Sequence, residues 1–142
     1  MKILVLDDRG SVNVHVAGML EDEGHIVIRA FNCNDAESYW KKCDCLIVDL
    51  NLPTDGLSED QIVHTRGGLL TGWVWLKTHV LSHKPEIAER TIIFSEYIAN
   101  LREVVSTTEI GDVILISKRS PGSSVEKLLR SVKSICAKVT SI

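Results

Sequence analysis

Five times over, this chain sets a short apolar run before a stretch whose apolar residues recur at helical spacing, and such alternation restricts it to an α/β domain built on a parallel sheet. Lys2 to Leu6 reads as a strand, followed by Val12, Val16, Met19 and Leu20 on one helical face up to Gly24. His25 to Ala30 is the second strand, and Asn34 is expected to cap a short helix carrying Ala36, Tyr39 and Trp40. Cys45 to Val48 is the third strand, Trp73, Leu76 and Val80 mark the next helix, and Thr91 to Phe94 is the fourth strand. Ile98 to Val105 reads as a helix and Val113 to Ile116 as the fifth strand. Ser123-Ser124-Val125-Glu126 has the capping-box pattern. It introduces a final helix with Val125, Leu128, Leu129, Val132, Ile135, Cys136 and Val139 on one face.

Strands this apolar need cover on both faces, so the expectation is one five-stranded parallel sheet with helices on either side. A length of 142 residues fits one domain. The irregular part is Thr54 to Leu70, longer than the usual connection in such units. A net charge of −3, with acids and bases interspersed, gives no basic field for a nucleic-acid backbone. No apolar run is long enough to span a membrane and no signal peptide precedes the first strand, which makes a cytoplasmic protein the expectation. Cys33, Cys43, Cys45 and Cys136 lack metal-ligand spacing and read as ordinary reduced thiols.

The strand ends carry the chemistry. Strand one ends in Asp7-Asp8, strand three in Asp49, strand four in Ser95, and strand five, after Ser117, in Lys118. In open α/β sheets ligands bind beyond the carboxyl ends of the strands, and the flavodoxin-like order 2-1-3-4-5 would make these four strands neighbours. Three carboxylates would then meet a hydroxyl and an ammonium. Lys118 offsets one negative charge, and a hard divalent cation such as Mg²⁺ suits the rest. Asp49 is the candidate nucleophile for a phosphoryl group. Each residue also has a plain reading: Asp7-Asp8 as helix N-terminal acids, Asp49 as a turn former, Ser95 as a cap, Lys118 as a solvated lysine.

As a set, "ILVLDD", "CLIVDLNLP", "TIIFSEY" and "VILISK" resemble the receiver domains of two-component response regulators, chemotaxis-regulator-like ones included, and the resemblance covers essentially the whole chain. It implies one receiver domain over residues 1–142, with a long inserted loop at about 54–70 and no output domain; a fragment of something longer stays open. It implies that Asp49 is the phosphoacceptor, that Asp7, Asp8, Asp49 and the backbone carbonyl of Asn51 hold Mg²⁺, and that Ser95 and Lys118 contact the phosphoryl group. The implied partners are a sensor histidine kinase or phosphotransfer protein and a downstream protein target; homodimers occur in relatives. Activity would be limited to Mg²⁺-dependent self-phosphorylation and slow self-dephosphorylation.

Four departures from the family pattern stand out. Leu115 occupies the place of the usual switching aromatic, and Arg119 follows Lys118 where the family commonly has a cis proline, leaving that turn trans or strained. Glu96 replaces a small residue after Ser95, where it would obstruct the site or repel a phosphoryl group, and Tyr97 would shield the phosphate. The fourth departure is the insertion, either a lid or docking loop or a disordered segment. Together these motivate an alternative, a receiver-like binding module indifferent to phosphorylation. A haloacid-dehalogenase-type phosphatase needs an acid two residues beyond its nucleophile, where this chain has Asn51. A flavodoxin would have to place its phosphate against Asp7-Asp8.

Overall fold

Short apolar runs become the strands, because a run with few polar interruptions can bury a pleated ribbon on its faces and leave the backbone to pair. In a computed structural model, which describes residues 1–119 and 123–141, the strands are β1 (Lys2–Leu6), β2 (Ile26–Ala30), β3 (Cys45–Val48), β4 (Thr91–Ser95) and β5 (Ile114–Ser117). They form one sheet in the order β2-β1-β3-β4-β5, every pair parallel. Fold and strand order are thus as the sequence leads one to expect. The register aligns Leu6 with Val48, Val48 with Ile93, and Ser95 with Ser117, so the carboxyl ends of β1, β3, β4 and β5 come level along one edge.

The period of two along each strand divides the core into two layers. Leu4, Leu6, Leu46, Val48 and Ile93 face one way, against α2 (Cys33–Glu37), α5 (Ile98–Val104) and the helix that begins as α4 (Thr71–Trp75). Ile3, Val5, Cys45, Ile47, Ile92, Phe94 and Ile116 face the other, against α1 (Gly10–Asp22) and α7 (Ser124–Thr140). The apolar face read for α7 is the one that packs, with Leu128, Val132 and Ile135 buried. β2 lies at the sheet edge and is the least covered strand, with Ile26 64% exposed.

Several local expectations give way to particular contacts. The residue capping α2 is Asn32, whose side chain accepts from the Asp35 amide, in place of Asn34. The capping box expected at the start of α7 is not formed: Ser123 has φ −110° and ψ −18° and accepts no cap hydrogen bond with its side chain. A complete capping box forms instead inside the insertion. There Ser58 accepts from the Gln61 amide while the Gln61 side chain accepts from the Ser58 amide, starting α3 (Glu59–Ile62). The segment 54–70 is therefore ordered. Buried Thr65 donates to the Ile62 carbonyl at 2.7 Å and accepts from the Gly68 amide at 3.1 Å, across a turn in which Arg66, Gly67 and Gly68 all have positive φ. The helix after the insertion widens from α4 into a π-helical stretch, Leu76–Leu81, where His79 meets the Gln61 side chain at 3.0 Å. The helix expected over 98–105 forms as α5, and a short further helix not foreseen, α6 (Thr107–Ile110), follows it because Ser106 caps a new turn through the Glu109 amide.

Candidate functional site

The sheet ladder itself presents Asp49. Its amide donates to the Leu6 carbonyl at 2.9 Å, one step past the end of β3, so its side chain emerges where β1 and β3 part. The Lys118 amide likewise donates to the Ser95 carbonyl at 3.0 Å, extending the β4–β5 ladder and bringing the ammonium to the same edge. On the far side of Asp49 the chain is pinned by Gly72, whose amide donates to the Leu50 carbonyl at 3.0 Å. A Cβ on Gly72 would lie 1.9 Å from the Asp49 carbonyl oxygen, so only glycine lets α4 start this close to the site.

The expected groups converge. One ligand oxygen from each of Asp7, Asp8 and Asp49 lies within 4.8 Å of the others, with Asp7 and Asp49 buried and Asp8 exposed. Lys118 Nζ donates to Asp7 Oδ2 at 2.6 Å and to Asp49 Oδ2 at 3.4 Å. The lysine thus sits mainly on Asp7 and leaves Asp49 the less satisfied of the two. Asp7 Oδ1 accepts from the Arg9 amide at 2.9 Å. Asp49 Oδ1 is taken by the Leu50 amide at 2.7 Å, which leaves Oδ2 as the oxygen facing the pocket and Lys118. Ser95 Oγ accepts from the Leu50 and Tyr97 amides at 3.4 and 3.2 Å, which hold it beside Asp49. Asn51, half-buried, lines the same pocket as Asp49 and Lys118.

Two carboxyls are pushed above their ordinary range. Burial raises Asp49 most, the negative charge of Asp7 adds to it, and Lys118 together with hydrogen bonds from Ser95 and Leu50 works the other way. For Asp8 desolvation again leads, followed by Asp7. Three clustered acids facing one lysine are under-neutralised, and oxygen donors in that arrangement suit a hard divalent cation. The donor set therefore fits the metal site expected from sequence.

The departures also find their places. The Lys118–Arg119 bond is trans, there being no cis peptide among the described residues. Leu115 is partly buried against the core layer that contains α4 and α5. Glu96 does not point at Asp49 unopposed: its carboxylate accepts from Arg9 Nη1 at 3.0 Å. Arg9, Asp49, Asn51, Glu96, Tyr97 and Lys118 line one small pocket of about 10 Å³. A larger groove of about 670 Å³, bordered by Leu70, Trp73, Val74 and Val105, contains none of the strand-end acids, so volume is no guide to the chemistry here. Arg9 is the site residue that sequence reasoning missed. Its partner is 87 positions away, and nothing local to Asp7-Asp8-Arg9 signals the pairing.

No protein-family model matches the chain, and no curated protein matches it. Solved structures do. The receiver domain of the Francisella response regulator 1452 superposes with a TM-score of 0.68 at 21% identity, covering 97% of this chain and 98% of that one. The response regulator TrrA of Thermotoga maritima, solved in complex with Mg²⁺-BeF, gives 0.65 at 20% identity over 94% of this chain and 97% of that one. The chemotaxis response regulator CheY4 of Vibrio cholerae gives 0.62 at 18% identity over 92% and 97%. With its sheet order and its covered faces, this chain has the fold of the response-regulator receiver domains.

Proposed function

We propose that this chain is a phosphoacceptor signalling domain: Asp49 takes a phosphoryl group from a histidine kinase or phosphotransfer protein, and the loaded domain acts through altered contacts with a downstream protein. The observation that carries this reading is the convergence at one sheet edge of a buried carboxylate, Asp49, whose Oδ2 is held by Lys118 at 3.4 Å, with the ammonium of Lys118 and the nearby hydroxyl of Ser95. Asp49 Oδ2 attacks phosphorus, the bond from phosphorus to the donor's imidazole nitrogen breaks, and the leaving imidazole takes up a proton. Lys118 neutralises charge gathering on the transferring oxygens, and the Ser95 hydroxyl, held by two backbone amides, donates its own proton to one of them. Asp7, Asp8, Asp49 and the Asn51 carbonyl would hold Mg²⁺, which supplies charge neutralisation and orients the phosphoryl oxygens. The product stays on the protein, so the role is that of a switch, without turnover.

Intact mass after incubation with a small phosphodonor, with and without Mg²⁺, tests the reading on the wild type and on Asp49→Asn. One phosphoryl group gained only with Mg²⁺, and only with Asp49 present, is the expected result. A label retained by Asp49→Asn would remove the assignment. Glu96, a like charge lining the pocket of Asp49, favours one alternative, a receiver-like module whose partner binding ignores phosphorylation. On that reading, no label appears and partner binding is the same in wild type and variant.

A further inference from the structure

The pocket over Asp49 has six lining residues, and two of them are the ion-paired Arg9 and Glu96. Asp49 and Lys118 are fixed at strand ends, their side chains only 7% and 10% exposed. Arg9 and Glu96, with side chains 50% and 35% exposed, are the parts of the wall that are free to swing into solvent. Their ion pair joins the start of α1 to the segment between β4 and α5, and both residues line the pocket of Asp49 and Lys118.

Charge says which way each partner goes. A phosphoryl group on Asp49 brings about 1.5 to 2 negative charges and three strong acceptor oxygens into the pocket. Glu96 is a like charge and is driven out. Arg9 is drawn in, because a guanidinium binds phosphoryl oxygens through two N–H groups at once, while its exposed pairing with Glu96 is worth little in water. We propose that Arg9 is a second phosphoryl-binding cation beside Lys118, held in reserve by Glu96, which it exchanges for the phosphoryl group as Asp49 is loaded. This rests on the reading of Asp49 as phosphoacceptor.

Labelling by phosphoramidate with Mg²⁺, followed by intact mass, tests this on the full chain. Glu96→Gln is expected to speed labelling by up to about fivefold, the scale of one exposed ion pair to Arg9 that no longer has to break. Arg9→Gln is expected to slow it by about tenfold or more, as when one donor is lost from a transferring group. Arg9→Lys recovers part of that loss. The double variant is as slow as Arg9→Gln alone, because Glu96 acts through Arg9. The Arg9 backbone amide bond to Asp7 survives all these changes, and thermal melting checks that the fold does too. If Arg9→Gln labels as fast as the wild type, Arg9 is no phosphoryl ligand; if Glu96→Gln is no faster, Glu96 holds nothing in reserve. Both results refute the exchange while leaving Asp49 as acceptor. If no protein, Glu96→Gln included, gains an Asp49-dependent label, the reading of Asp49 fails and the exchange fails with it.

Discussion

Replacing Asp49 by asparagine is expected to stabilise the fold, by an amount that depends on pH in a set direction. Asp49 is 6% exposed and shares its end of the sheet with buried Asp7. At the outer bound of 4.8 Å, two such charges repel by roughly 3 kcal/mol at an effective dielectric near 20. Lys118 at 3.4 Å returns roughly 5 kcal/mol on the same scale, and burying the carboxylate costs several kcal/mol more. Desolvation therefore decides the sign. Asparagine keeps an oxygen for the Leu50 amide, and Lys118 keeps Asp7 at 2.6 Å, so no buried charge is orphaned. The expected gain at pH 7 without Mg²⁺ is about 1 to 3 kcal/mol, or about 3 to 10 °C in Tm for a chain of this size. Because burial raises the Asp49 pKa, the native state binds that proton more tightly than the unfolded state does. The stability linked to it is fully present below the ordinary carboxylate pKa and is lost as pH rises through the raised native value. The gap between variant and wild type should open from acid to neutral pH, and saturating Mg²⁺ should narrow it by neutralising the wild-type cluster. Urea melts at about pH 4 and pH 7 measure this. A variant no more stable than wild type at pH 7, or a gap that widens in acid, would refute the argument.

Other consequences are more local. Gly72→Ala drives a methyl into the Asp49 carbonyl and should cost about 3 kcal/mol or more in a chemical-denaturation experiment; an unchanged midpoint would mean that α4 can back away. Burial pushes the Cys33 and Cys45 thiols up to about 12, so alkylation of native protein at pH 8 should label Cys136 first and leave those two unmodified until the chain unfolds, which peptide mapping reads directly. Trp75→Phe removes the indole bond to Glu37 at 3.1 Å and leaves a cavity at a fully buried core position; Glu37 is half-exposed and can rehydrate, so most of an expected loss of about 2 to 3 kcal/mol by urea denaturation comes from the cavity.

The strands were legible because each is built round a short apolar run, and a run that ends on Asp49 or on Ser117-Lys118 already names the groups at the sheet edge. Strand order then brings those groups together. What stayed hidden depends on contacts that no window of sequence contains. Asn32 and Asn34 are equally good caps on paper, and the backbone turn after β2 decides between them. Polar composition made 54–70 look irregular, although Ser58 and Gln61 spell a capping box as clearly as Ser123 and Glu126 do. Gly72 reads as a weak spot in a helix until the Asp49 carbonyl is seen against it. Arg9 and Glu96 meet only because β1 and β4 flank the same strand.

The insertion leaves and rejoins the domain at almost one point: Leu52 and Leu70 are both buried, and the Leu50 carbonyl holds the Gly72 amide. A loop whose two ends are tied together spends little further entropy on added length. Its crest, where Val63 is 75% exposed and His64 also faces solvent, is thus a natural splice point. A peptide tag or a fluorophore-bearing segment grafted there would extend from the domain without stretching the backbone on which Asp49 stands. The same chain could in this way be made to carry its own reporter.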